Sequence, residues 1–176
     1  MTLPPSNSLT LQRDGEAGLD VDPAHMPHEA GIVFIGRIRS PWKTRAECPK
    51  NMGAARATGS AATIEIGAPY RPGLAGLEGY SHIILLSWFD NASRNLIVQK
   101  PRHATHSKGV FAIRSPVRPN PIGLHIAKLD NMDIGAGLLT IDAIDLLDGT
   151  PVLDIKPYLA STDAFPDALR PDRPGQ

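Results

Sequence analysis

The amino-acid sequence predicts a mainly β protein, a barrel or strongly curved sheet with a few short helices and long loops. Its apolar runs are short and rich in β-branched residues, and Gly or Pro stands in nearly every gap between them. Period two is visible in Thr63-Ile64-Glu65-Ile66, and again where Leu139, Ile141 and Ala143 alternate with Thr140 and Asp142. No segment carries a long clean helical stripe. At 176 residues and 41% hydrophobic content the chain suits one domain with one core. Only nine residues are aromatic, so that core must rest on Ile, Leu, Val and Ala.

Taken in order, Met1 to His28 mixes Pro, Ser, Asp and Gly without an apolar period. Residues 1–30 are therefore expected to be a flexible extension that orders only by docking on something else. The folded body is expected from about Gly31 to Arg170, with 171–176 as a tail. Strands are predicted at Gly31 to Ile38, Ala61 to Ile66, Ser81 to Phe89, Gly109 to Ile113, Ile122 to Leu129, Leu138 to Leu147 and Pro151 to Ile155. Short helices are predicted around Gly73 to Glu78, Asn91 to Gln99 and Pro166 to Leu169. Gly135-Ala136-Gly137 leads into a strand-like segment, so it reads as a hairpin connection and not as a dinucleotide fingerprint. Asp148-Gly149 between apolar runs is a hairpin signal, which makes Asp148 a turn former before it is a catalytic acid.

Charge is segregated. The chain is formally neutral, yet between Asn91 and Leu129 there is no Asp or Glu, while seven Lys or Arg and three His fall there. Within that stretch Pro116, Pro119 and Pro121 fix their own φ and push Ser115, Arg118 and Asn120 towards extended conformations. Arg114, Arg118 and Asn120 are thereby held on a stiff loop suited to an anion, because a fixed guanidinium loses less entropy on pairing with a carboxylate or phosphate. Asp154 and Lys156 share side-chain parity and read as an ion pair beside this loop.

Other fragments exclude classes. Ser81-His82 lacks the second Gly of a nucleophile elbow, since Ile83 stands in its place, which disfavours a hydrolase. His103-Ala-Thr-His106 with Cys48 could supply three ligands, but there is no second spaced pair and the histidines sit among cations, so no metal site is expected. A lone cysteine and the lack of a basic leader followed by an apolar segment read as cytoplasmic; no apolar run reaches the length that spans a bilayer. No feature points to DNA.

Four separated blocks then carry a resemblance: Ile35-Gly36-Arg37-Ile38-Arg39-Ser40-Pro41, Leu77-Glu78-Gly79-Tyr80-Ser81-His82, Gly109 to Gly123, and Asp145 to Tyr158. In this order they resemble the TrmO family of S-adenosylmethionine-dependent tRNA methyltransferases, also described as YaeB-like or VirR-like. The resemblance implies a single-sheeted β-barrel, a homodimer, and methylation of the exocyclic amine of N(6)-threonylcarbamoyladenosine beside the tRNA anticodon. It is to a short form, without the C-terminal domain with which longer bacterial members help hold tRNA.

By motif position the resemblance implies cofactor contacts at Met52, Gly53, Ala54, Asp90, Asn91, Arg114, Leu124, Asp142, Ala143, Ile144 and Asp145. Arg114 suits the carboxylate of the zwitterion, and Asp142 or Asp145 its amine or hydroxyls. Those two acids differ by an odd number and cannot share one side of an undistorted strand, so either a bulge intervenes or one contacts through its backbone. Methyl transfer from a sulfonium releases a neutral thioether and depends on in-line positioning more than on a strong base. Arg118, Asn120, Lys156 and Tyr158 are therefore expected to position substrate, with Asp154 orienting Lys156 and no general base assigned. A non-catalytic module binding S-adenosylmethionine or a nucleotide is the alternative.

Overall fold

Six of the predicted strand segments close on one another. A computed structural model describes residues 13–27, 30–100 and 105–169. Its elements are β1 (Ala17–Gly18), β2 (Gly36–Arg39), α1 (Met52–Ala57), β3 (Ala62–Ile66), β4 (His82–Trp88), β5 (Leu96–Gln99), β6 (Lys108–Gly109), β7 (Ile122–Asp133), β8 (Leu138–Ile141), β9 (Pro151–Pro157) and α2 (Ala160–Asp163). The barrel runs β2-β3-β8-β7-β4-β9, with every pairing antiparallel, and a small sheet β1-β5-β6 stands beside it.

Period two decides what points inward. Ile64, Ile66, Ile83, Leu85, Leu139 and Ile141 are fully or almost fully buried, and Ile38 and Val152 complete the same core. Deleting side chains of this kind leaves cavities, at about 2 to 5 kcal/mol for Leu or Ile to Ala. On β7 the pattern inverts: Gly123, His125 and Ala127 face in, while Ile122 and Leu124 are 44% and 48% exposed. Gly123 is required there, since a Cβ would lie 2.3 Å from the Ser87 hydroxyl oxygen and 2.5 Å from a His125 ring nitrogen.

Several expected elements differ. The segment from Gly31 is ladder-paired only from Gly36, and Ile32, Val33 and Phe34 remain exposed. Expected strand Gly109 to Ile113 is instead β6 followed by a 3-10 turn over Val110–Ala112, because Val110 turns into the interior while Phe111 points to solvent. Around Asn91 to Gln99 the β-branched Ile97-Val98 pair prevails, and Leu96–Gln99 is a strand instead of a helix. Gly73 to Glu78 falls in 3-10 turns over Ala68–Leu74 and Leu77–Gly79, and the last short helix is α2 instead of Pro166 to Leu169. Helix α1 was not anticipated; Asn51 caps it by accepting the Ala54 amide at 2.9 Å.

Gly135-Ala136-Gly137 does form the β7/β8 hairpin connection. Asp148-Gly149 makes a turn, with Gly149 at φ 81° and the Thr150 amide donating to the Leu147 carbonyl, but no hairpin. The strands it joins have different partners, β3 and β7 for β8, β2 and β4 for β9. Asp148 instead accepts the Ser40 amide and the Lys43 ammonium, and the Lys43 hydrogen bond holds its carboxyl below the usual range.

The N-terminal extension also departs from expectation. Its residues 13–27 order on the body itself: Ala17–Gly18 pairs with β5, and Asp22 caps a 3-10 turn. The buried Glu16 carboxylate accepts the Arg13 guanidinium at 2.6 Å and the Lys100 amide at 3.0 Å. Residues 1–12, His28, His103 and the tail 171–176 lie outside the described residues.

Candidate functional site

The candidate site is built on a strand edge. Over Leu129 to Asp133, β7 pairs with β8, but over Ile122–Lys128 it pairs with β4 alone. Strand β8 ends at Ile141, short of the predicted Leu147, and the chain leaves β7 after the Asp142 amide, which still donates to the Lys128 carbonyl at 3.1 Å. Backbone groups left on that edge of β7 would be costly if buried without partners. Side chains supply the partners instead. The Arg114 Nη2 donates to the Leu124 carbonyl at 3.0 Å, Arg56 Nη2 to the Ile126 carbonyl at 2.6 Å, and the Lys128 amide to Asp142 Oδ1 at 2.8 Å. The three attachment points are alternate residues of one strand, spanning about 13 Å at ~3.3 Å per residue.

This seam brings most of the predicted cofactor residues together. Arg56 also bonds Asp142 Oδ2 at 2.9 Å, which docks α1, with Met52, Gly53 and Ala54 in its first turn, against the Asp142 to Asp145 loop. Met52 packs on the core. The segment after β2 also pins the chain here: Ile144 accepts the Trp42 indole N–H at 2.8 Å, and Leu146 accepts the Ser40 hydroxyl at 2.8 Å. Ala143 and Ile144 are 0% and 1% exposed, so both belong to the interior and hold the loop in place without offering an open face to a ligand. Asp142 and Asp145 do not share a strand, because both lie beyond β8; that removes the parity conflict.

Asp90 and Asn91 form an exposed turn after β4, where the Phe89 amide donates to the Pro121 carbonyl, and no described hydrogen bond joins them to the loop or to α1. Arg114 is exposed, and its only described hydrogen bond leaves Nε and Nη1 open to a carboxylate. Arg118 behaves differently: its Nη2 donates to the carbonyls of Val110 and Ile113 at 2.7 and 2.5 Å, and its Nε is buried without a partner. Any part it has in substrate positioning therefore runs through the loop it braces. Asn120 is exposed, accepts Arg94 at 3.3 Å, and Arg94 in turn lies 5.5 Å from the Trp88 ring.

Asp154 and Lys156 form the expected ion pair at 2.8 Å, and Tyr158 sits beside His82 with ring centroids 6.2 Å apart. They lie on the far flank of β4, since Ile84 pairs with both Lys156 and Ile126 and Leu86 with both Asp154 and Leu124. Two strand spacings of ~4.8 Å put this group about 10 Å from the seam across an outward apolar face.

Sequence reasoning missed Arg56 and a buried cluster. His125 Nε2 lies 3.0 Å from the Ser87 hydroxyl, and His125 Nδ1 lies 2.8 Å from Asp145 Oδ1. The inverted pattern of β7 was the available signal, because it turns His125 inward towards Ser87 on β4. Cys48 is buried, and burial pushes its thiol up, so it stays protonated. An open groove of about 540 Å³ between Arg39, Lys43, Ala62 and Thr140 shares no residue with the predicted set. Its cations already face Glu65 and Asp148, which leaves the seam as the better anion site. No described helix is long and apolar enough to cross a membrane.

Similarity to known proteins follows the same lines. The model of the tRNA-methyltransferase O N-terminal domain matches residues 37–164. The chain is 37% identical over 129 residues to a probable S-adenosyl-L-methionine-binding protein VirR of Rhizobium radiobacter, covering 73% of this chain and 71% of that one. It is 37% identical over 142 residues to the tRNA (adenine(37)-N6)-methyltransferase of Escherichia coli, covering 76% of this chain but 60% of the relative. A crystal structure of TrmO superposes with a TM-score of 0.68 at 38% identity, over 85% of this chain and 65% of that one. A match across most of the barrel, at this identity and with the same fold, places the chain in the tRNA-methyltransferase O family of S-adenosylmethionine-dependent tRNA methyltransferases.

Proposed function

We propose that this chain binds S-adenosylmethionine along the free edge of β7 and methylates tRNA, the acceptor being the exocyclic amine of N(6)-threonylcarbamoyladenosine beside the anticodon. The observation that carries the reading is the seam itself, where Arg114, Arg56 and the Asp142 to Asp145 loop converge on alternate residues of one unpaired strand edge.

The residues present fit such a ligand. Arg114 keeps Nε and Nη1 for a carboxylate, Asp145 keeps Oδ2 for an amine or hydroxyl, and exposed Leu124 offers an apolar face. When bound, the cofactor supplies an electrophilic methyl group on a sulfonium. The protein's work is to orient: Arg118 stiffens the proline loop, Asp154 holds Lys156, and Lys156, Asn120 and Tyr158 hold the acceptor nucleotide near the seam. RNA contact concentrates on the acid-free segment and its neighbours, and a cytoplasmic location follows from the substrate.

Purified protein incubated with S-adenosylmethionine and tRNA carrying the threonylcarbamoyl modification should yield the N(6)-methylated nucleoside by mass spectrometry. Methylation of a different nucleoside would overturn the acceptor. A second reading, a module that binds S-adenosylmethionine without chemistry, is favoured by relatives named only as S-adenosyl-L-methionine-binding proteins; cofactor binding with no methyl transfer to any RNA would establish it.

A further inference from the structure

Ser87, His125 and Asp145 stand in the order and at the spacings of an acid–imidazole–hydroxyl relay, yet they come from β4, β7 and the loop after β8. As a nucleophile Ser87 fails on access. It is 0% exposed on the inner face of the barrel, and the space over its hydroxyl is closed by Gly123, where even one added carbon would lie 2.3 Å away. An acyl group cannot reach it.

We infer that the three residues form a positioning relay that locks the Asp145 end of the cofactor loop to the barrel interior; the inference rests on the cofactor reading of that loop. An ionised Asp145 accepts, so Nδ1 of His125 is its donor, and in the neutral imidazole Nε2 is then an acceptor that takes the Ser87 hydroxyl proton. Ser87 and Asp145 thus have one role each, and His125 joins them as acceptor from one and donor to the other. A buried imidazole with a single satisfied tautomer cannot turn, because rotation would orphan both Ser87 and its own ring nitrogens at once. The Phe89 ring packs against the imidazole in a T-shaped arrangement, with centroids 6.1 Å apart. Asp145 Oδ1 is consequently fixed, and Oδ2, which has no described protein partner, is left for a ligand. Asp142 is tied down by Arg56 and the Lys128 amide, so both acids that frame the loop are held by separate elements.

The relay is distinguishable from ordinary packing by which variant rescues it. Leucine at 125 keeps much of the volume and loses both bonds, whereas asparagine places its amide N–H where Nδ1 was and can still hold Asp145. Calorimetric titration of S-adenosylmethionine into the full chain should give a Kd raised about tenfold to a hundredfold in His125→Leu, the loss of one charge-assisted hydrogen bond. His125→Asn should recover most of that loss, and Ser87→Ala should cost only about threefold, since Nδ1 still reaches Asp145. In turnover assays the effect should fall on KM for the cofactor, with KM for tRNA and the rate at saturating cofactor retained. Folding of each variant is read from its thermal melt. Equal affinity in wild type and a folded His125→Leu would overturn the relay alone, as would His125→Asn no better than His125→Leu. A wild type that binds no S-adenosylmethionine would overturn the cofactor reading and the relay with it. Labelling of Ser87 by a fluorophosphonate probe would show a reachable nucleophile and contradict the positioning role directly.

Discussion

Arg56 joins three elements through one guanidinium: its own helix α1, the Ile126 carbonyl of β7 and the Asp142 carboxylate. The ion pair is partly exposed and by itself contributes about 0 to 1 kcal/mol, but the carbonyl it satisfies lies on an edge no strand covers. Arg56→Ala should therefore lower stability by about 1 to 2 kcal/mol in a denaturant titration and also weaken cofactor binding; unchanged binding would detach α1 from the site. Arg114 and Arg118 should separate in another way. Arg114→Ala should weaken binding of S-adenosylmethionine by about 1.5 to 3 kcal/mol with a smaller loss of stability than Arg56→Ala, because Leu124, whose carbonyl it satisfies, is 48% exposed and water can replace the donor. Arg118→Ala should lower the melting temperature first, since it removes the donor shared by two backbone carbonyls. A melt unaffected by Arg118→Ala would mean that the loop stands on its prolines alone.

At the scale of elements, the docked N-terminal segment depends on one carboxylate. The Arg13 guanidinium lowers the Glu16 pKa to about 2 from 4.5, with the Arg13 and Lys100 amides adding to it. Because the folded value lies below the unfolded one, this contribution is fully present above about pH 4.5 and is lost as pH falls towards 2. Amide exchange at Leu19 and Lys100 should quicken in that window, and at neutral pH in Glu16→Gln; exchange indifferent to both would show that β1 is held by its ladder alone. The barrel strands were legible because their branched apolar residues alternate at period two. Ala17–Gly18 was not, since a two-residue strand bound by backbone and a buried acid has no apolar pattern to read. The seam was half legible. The family resemblance named Met52, Arg114 and Asp142 as expected contacts, but the point where β8 leaves β7 is a matter of pairing and not of composition. His125 was hidden by β7 carrying its larger apolar residues outward.

For the whole molecule, Ile32, Val33 and Phe34 present consecutive exposed apolar side chains. We propose a homodimer on this ground together with the family resemblance. Sedimentation at micromolar protein should report about twice the 18.9 kDa chain mass; a monomer that still methylates tRNA would remove the dimer from the account. The central claim is narrower, that the free edge of β7 is where the cofactor sits. Hydrogen–deuterium exchange with and without S-adenosylmethionine tests it most directly. Protection is predicted in residues 51–57, 122–128 and 142–146, which surround the seam. Protection confined to the groove at Arg39, Lys43 and Ala62, or absent at saturating ligand, would contradict it.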